Sequence, residues 1–348
     1  MYSIAALCIA LAASSTILTS CEDDEDKTTT EVSGELENGS TISGDITSNT
    51  TLAEGYEYKL SGGVHVKEGA TLTIKPGVKI TAIDDDTPDY ILIEQGAKID
   101  AQGTASNPIV MTSETPENKW GGIHICGKAH TNAESGSGSS EIGGAKYGGS
   151  DDKDNSGTLR YIRLEYTGFA LDEEHEANGI SFYGVGSGTT VDHIESYKGG
   201  DDGFEFFGGS VNVNNMVSFD SSDDSFDWTE GWNGSATNIL AYQMSAEDDC
   251  LIEADNNGKN YDAVPVSRPT IKNAILIGNG GDGRGIRLRA GTQVILDNVV
   301  ACGKNMPLTV ETGQTETALK NGDATITNTT ISANLNSKES IYTNEDFI

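Results

Sequence analysis

Val211-Asn-Val-Asn-Asn-Met-Val217, Ala236-Thr-Asn-Ile-Leu-Ala241, Thr270-Ile-Lys-Asn-Ala-Ile-Leu276, Ile295-Leu-Asp-Asn-Val-Val300 and Thr325-Ile-Thr-Asn-Thr-Thr-Ile331 are one phrase repeated five times. Each is a β-prone run broken by a polar pair, and the second member of the pair is Asn215, Asn238, Asn273, Asn298 or Asn328. His193 holds that place one repeat earlier, in Thr190-Val-Asp-His-Ile-Glu-Ser196. Thr158-Leu-Arg-Tyr-Ile-Arg-Leu-Glu165 opens the series with Tyr161 at the matching place, where the polar pair is missing. Subtracting successive positions from His193 onward gives steps of 22, 23, 35, 25 and 30 residues. A unit of this length, made of short strands without a helix, is one coil of a parallel β-helix. The recurrent asparagine is expected to turn inward at a coil corner and bond the amide of the next coil, about 4.8 Å away.

The N-terminal third says the same in other words. Gly62-Gly-Val-His-Val66, Ala70-Thr-Leu-Thr-Ile74, Gly77-Val-Lys-Ile80, Tyr90-Ile-Leu-Ile93 and Gly96-Ala-Lys-Ile99 alternate or cluster apolar residues between glycine-bearing turns. Asn107-Pro-Ile-Val-Met-Thr112 and Trp120-Gly-Gly-Ile-His-Ile125 continue the series. Residues 34–348 are therefore expected to form one all-β domain, a single right-handed parallel β-helix of about eleven or twelve coils and roughly 50–55 Å. The Gly/Ser-rich stretch 133–157 reads as a long loop thrown out from one coil. Tyr261 to Pro269 reads as a shorter one, which accounts for the 35-residue step.

Composition agrees. Of 348 residues, 54 are acidic and 22 basic, a formal charge of −32, which excludes a binder of nucleic-acid backbones. Glycine is abundant at 42 and proline scarce at 7, as many strands and tight turns require. Cys126, Cys250 and Cys302 fall in or beside strands and are expected to be buried free thiols, with one disulfide among them left open. His65, His124, His130, His175 and His193 show no metal-ligand spacing.

The start of the chain reads as an address. Ile4 to Leu18 is an apolar run too short to span a bilayer and right for a signal-peptide core. It ends in Leu18-Thr19-Ser20-Cys21, which resembles the bacterial lipobox; that resemblance implies removal of residues 1–20 and acylation of Cys21. Met1-Tyr2-Ser3 lacks the basic residues of such a leader, a departure that a start further upstream would explain. Glu22-Asp23-Asp24-Glu25-Asp26 resembles the acidic export signal of surface lipoproteins in Bacteroidota. Residues 21–33 form an acidic, Thr-rich tether with too little apolar surface to fold. The expected location is the outer membrane, lipid-anchored and facing outward.

A wider resemblance rests on Trp120-Gly-Gly-Ile with Gly127-Lys-Ala129, on Ser156-Gly-Thr-Leu-Arg-Tyr-Ile-Arg-Leu-Glu165, on Gly184-Val-Gly-Ser-Gly-Thr189 and on Asp201-Asp-Gly-Phe-Glu-Phe-Phe-Gly-Gly209. These resemble a family of β-helix surface lipoproteins common in Bacteroidota. The likeness covers nearly the whole chain after Cys21. It implies a fold and a location and names no reaction.

The chemistry concentrates in an Asp pair that recurs before one strand of each coil: Asp201-Asp202, Asp223-Asp224 and Asp248-Asp249, with a lone Asp282 one coil on. In the strands that follow, Phe204, Phe226, Ile252 and Ile286 should point inward, and Glu205, Asp227, Glu253 and Arg287 outward. Stacked carboxylates at this spacing must bind a cation, meet a base or hold a proton. Three readings stay open. The seven aspartates bind Ca2+; the column is a catalytic carboxylate cluster; or the side chains merely bond backbone amides of the turns. For the catalytic reading, Gly200-Asp201-Asp202 is similar to the Gly-Asp-Asp motif of polygalacturonases, and Arg287-Leu288-Arg289 loosely resembles their Arg-Ile-Lys. Their Asn-Thr-Asp and Gly-His-Gly are missing. That resemblance implies Asp202 and Asp224 as acid and base and Arg287 as partner of a uronate. Trp228, Trp232 and Tyr242 are expected to join Glu205, Asp227 and Glu253 as a ligand-binding face, since a pyranose stacks on exposed rings. The expected function is a non-enzymatic module for adhesion or for binding polysaccharide or another surface ligand, with calcium as its candidate ion; the alternative is a hydrolase or lyase acting on acidic glycans, and a third reading is a purely structural or adhesive surface rod.

Overall fold

The computed structural model describes residues 34–85, 87–172, 175–332, 335–336 and 341–342; the leader, Cys21 and the tether lie outside them. The described residues form a parallel β-helix. Three sheets run along it, each with eleven rungs. Sheet I climbs from Gly34–Leu36 to Thr325–Thr327. Sheet II climbs from residues 41–42 to Thr330–Ile331. Sheet III climbs from residues 44–46 to Leu335–Asn336. Eleven coils agree with the count expected from sequence.

The repeated phrase is the corner between sheets I and II. In Thr190–Tyr197, Asn212–Phe219, Ser235–Tyr242, Thr270–Ile277 and Ile295–Cys302 the strand bends at one residue that the pairing skips. That residue is left-handed in every case: φ is +56° at His193, +54° at Asn215, +57° at Asn238, +55° at Asn273 and +59° at Asn298. Tyr161 (+50°) and Asn328 (+51°) complete the set, so Tyr161 does belong to the series. Asparagine tolerates this conformation better than other side chains with a Cβ.

One expectation is corrected here. The corner amides face outward: Asn238 and Asn298 are exposed and Asn215 and Asn273 half-buried. They still form a relay. Asn238 Nδ2 donates to Asn215 Oδ1 (3.2 Å), Asn273 to Asn238 (3.0 Å) and Asn298 to Asn273 (2.8 Å). Asn215 donates to Asp192 (2.7 Å) and Asn328 to Asp297 (2.8 Å). A left-handed residue on a convex bend projects its side chain away from the core, and the rung spacing still brings neighbouring amides into reach.

Inside, equivalent residues stack in columns. Val191, Val213, Ala236, Ile271, Leu296 and Ile326 form one, all buried. Aromatic residues fill the middle coils. Phe182 stacks on Phe206 at 4.9 Å, Phe204 on Phe226 at 5.3 Å and Phe206 on Trp232 at 4.0 Å. Such contacts add about 0.5–1.5 kcal/mol each beyond the burial of area.

Insertions break the repeat where expected. Residues 127–156 leave sheet III, form a small hairpin of Gly138–Ser139 with Lys146–Tyr147, and return. Residues 255–269 make the second excursion. The 30-residue final step holds a helix that the sequence did not announce, α1 (Gly313–Asn321), which carries no clear apolar stripe and ends at Gly322 with φ +80°. Cys126 and Cys250 are buried free thiols, and Cys302 is a half-buried one.

Candidate functional site

The acidic column sits on the outer side of sheet III. Pairing places Ser181, Glu205, Asp227, Glu253, Arg287 and Thr309 in one outward row. Phe204, Phe226, Ile252 and Ile286 point into the core, as alternation requires.

Outward does not mean open to solvent. The first insertion and the hairpin of Ala170–Asp172 with His175–Glu176 rise beside the row and turn it into a groove. A cavity of 240 Å³ is lined by Glu141, Glu176, Asn178, Asp201, Asp202, Glu205, Asp223, Asp224, Asp227 and Glu253. Nine of these ten carry carboxyl groups. Glu141, Glu176 and Asn178 were not singled out from the sequence, because nothing in their local spacing marks them. Asn178 fixes the wall: its Nδ2 donates to Glu205 Oε2 (2.6 Å) and Ser181 Oγ (3.1 Å).

Two carboxylates also build the coils. Asp202 Oδ1 accepts the amide of Asp224 (2.8 Å), and Asp224 Oδ1 accepts the amide of Cys250 (2.6 Å). The turn-capping reading therefore holds for one oxygen of each. These bonds expose a slip in the expected register: Cys250, rather than Asp249, is equivalent to Asp202 and Asp224. The turn before Ile252 alters the spacing, so Asp249 takes the first place of the pair and Asp248 falls outside. Asp248 instead accepts the amide of Ser245 (3.1 Å), and Lys304 Nζ donates to its carbonyl (2.6 Å). Asp282, equivalent to Asp248, is exposed and away from the groove. The structure brings together Asp201, Asp202, Asp223, Asp224 and Asp249, and leaves out Asp248 and Asp282.

The aromatic expectation is overturned. Trp228 and Trp232 are wholly buried in the core, with their indole N–H groups on Thr292 Oγ1 and Val211 O (both 3.1 Å). Parity carried the signal: if Phe226 points in and Asp227 out, Trp228 must point in. Tyr242 is half-buried on sheet II, in an external stack with Phe219 (5.3 Å), and does not face the groove.

Three groups of side chains bring their ligand atoms within 4.8 Å of one another: Asp201, Asp202 and Asp223; Asp202, Glu205 and Asp227; and Asp224, Asp249, Cys250 and Glu253. Burial and mutual repulsion push their acidities the same way. Burial, with Glu176 and Asp223 nearby, raises Asp201 to about 8. Burial, with Asp249 and Glu253 nearby, raises Asp223 to about 6. Asp202, Glu205, Asp224 and Asp227 are also raised, burial first and neighbouring carboxylates next. Asp227 Oδ1 is buried with no hydrogen-bond partner among the described residues.

Among the described residues, the bases that pair with groove carboxylates stand at one end. Arg287 bonds Glu253 (2.8 Å) and Glu311 (3.2 Å), and Arg289 bonds Asp255 (2.6 Å) and also pairs with Glu253. Burial opposes the charge on Arg287, but Glu253 and Glu311 hold it firmly protonated.

Fold and site together define a parallel β-helix with a carboxylate-lined groove on one sheet. The family model described as a pectate-lyase like beta helix domain matches residues 44–347, and the chain belongs to that family. No curated protein and no solved structure matches it.

Proposed function

We propose that the groove holds hard divalent cations, with Ca2+ the best fit to its donors. In this reading the protein is a lipoprotein displayed on the outer membrane that binds polysaccharide or another surface ligand through those ions. The observation that carries the reading is imbalance. Nine carboxyl-bearing residues line one cavity while the arginines at its end are already shared among Glu253, Asp255 and Glu311. Calcium takes six to eight oxygens at flexible geometry, and Asp202, common to two of the groups, suits a pair of neighbouring ions. Cys250 is the one sulfur among donors that are otherwise carboxylate oxygens, so a hard ion fits the set. A glycan's hydroxyl or carboxylate oxygens would complete the coordination. The family description, a domain like pectate lyase, supports a glycan as the ligand class. The lipobox-like Leu18-Thr19-Ser20-Cys21 supports the anchor.

Asp201 supports a second reading, cleavage of an acidic glycan, because a carboxyl titrating near 8 is a proton donor at neutral pH. Against it, Arg287 is pinned, and Asp202 and Asp224 each hold a backbone amide.

The test is a calcium titration of the chelator-treated protein, read by melting temperature. Tm should climb with the logarithm of calcium, by about 2.7 kcal/mol of stability at a hundredfold excess over Kd. Asp202→Asn with Asp227→Asn should abolish the climb. A flat Tm up to millimolar calcium would remove the metal. Calcium-dependent retention on a glycan array favours binding; ultraviolet absorbance from unsaturated uronates, or new reducing ends, would move the conclusion to an enzyme.

A further inference from the structure

We infer a second, metal-independent ligand site, for a neutral pyranose, between the 255–269 insertion and helix α1. A cavity of 540 Å³ opens there, lined among others by Tyr261, Asp262, Gln293, Gln314, Thr317 and Asp323. Its volume lies within the range of small-molecule sites.

Tyr261 presents 41% of its surface, an unusual state for an aromatic in this chain, whose other large rings mostly stack on each other. Around it stand two planar amides, Gln293 and Gln314, and two carboxylates, Asp262 and Asp323. The side chains of all four make no hydrogen bond or ion pair among the described residues. Amides and carboxylates beside a ring are what a sugar requires: the ring meets the apolar face of the pyranose, and the polar groups meet vicinal hydroxyls, which donate and accept at once. Two carboxylates on a chain of net charge −32 disfavour uronates and phosphates, so the class is a neutral sugar.

The frame is rigid before any ligand arrives. Asn256, wholly buried, donates from Nδ2 to the carbonyls of Tyr261 (3.1 Å) and Ala263 (3.0 Å), while its Oδ1 accepts Asn132 Nδ2 (2.9 Å) and the amide of Ser267 (2.8 Å). Gly291, at φ +86°, lets the coil pass so close that a Cβ there would lie 2.2 Å from the Tyr261 carbonyl. Arg268 Nε holds the Asp323 carbonyl at 3.0 Å, and the amide of Gln293 bonds Ser267 O at 2.8 Å. A loop pinned this thoroughly, yet carrying an exposed ring, has its ordering cost met in advance.

The experiment is saturation-transfer NMR with cello-, xylo-, manno- and galacto-oligosaccharides on the purified protein, with a chelator present throughout. At least one should receive saturation at the ring-face protons. Tyr261→Ala, at an exposed position, and Gln314→Ala, on the open face of α1, should each weaken binding tenfold or more and leave Tm unchanged. Asp202→Asn should leave binding intact, which separates this site from the acidic groove. Absence of transfer from all four sugars would overturn the inference, as would transfer that survives Tyr261→Ala or vanishes on chelation.

Discussion

Raising the pH from 5 to 8 with a chelator present should destabilise this protein, and neutralising Asp201 and Asp223 should cancel their share of the loss. In the folded protein burial and neighbouring acids lift Asp201 from 3.8 to about 8 and Asp223 from 3.8 to about 6. Between about 4 and those values the folded state keeps protons that the unfolded chain has released, so stability falls as pH rises. Each pH unit in the window costs about 1.4 kcal/mol per group. From pH 5 to 8 that amounts to about 4 kcal/mol from Asp201 and about 1.4 kcal/mol from Asp223, upper bounds because one proton gained eases its neighbour's burden. Half that sum, about 2–3 kcal/mol, corresponds to roughly 5 °C in Tm for a domain of this size. The groups held below their usual range, Glu94 and Asp152 among them, act in the opposite sense only at lower pH. The assay is calorimetry of wild type and of Asp201→Asn/Asp223→Asn at pH 5, 6.5 and 8. Wild type should melt lower at each step, and the variant should fall less, its remaining loss coming from Asp202, Glu205, Asp224 and Asp227, raised in the same way, and from Asp89, which burial lifts to about 7. A wild-type Tm that is flat or rises from 5 to 8 would show that the groove carboxylates do not repel one another in the way described.

Trp232→Ala should cost about 3–5 kcal/mol in denaturant unfolding, because it empties a space stacked against Phe206 at 4.0 Å. Asn238→Val should cost about 2 kcal/mol and Asn238→Gly much less, since glycine keeps the left-handed corner and loses only the amide bond. A maleimide should label Cys302 in the native protein while Cys126 and Cys250 react only after unfolding, read by mass spectrometry.

The coil and its corners were legible because a left-handed bend restricts which residue can stand there, and the restriction repeats. The inward rows were legible because a strand alternates. The depth of the groove was not: Glu141, Glu176 and Asn178 arrive on excursions whose course no local spacing records. The slip that ejects Asp248 was legible and overlooked, because Asp248-Asp249 looks like its predecessors: Asp202 and Asp224 stand two residues before Phe204 and Phe226, whereas Asp249 stands three before Ile252. Trp228 was misread by weighing chemical type above parity, and Trp232 lies beyond the strand Phe226–Thr229, where alternation gives no sign.

The asparagine relay along the outer corner has a polarity. Every amide from Asn298 back to Asn215 donates toward the N-terminal coils, so their side-chain dipoles add head to tail. A row of aligned dipoles gathers positive potential at its donating end, and there Asp192 stands, with His193 and Arg160 beside it. The corner thus ends its run of donors on a carboxylate, and replacing Asp192 would leave the Asn215 amide without its acceptor.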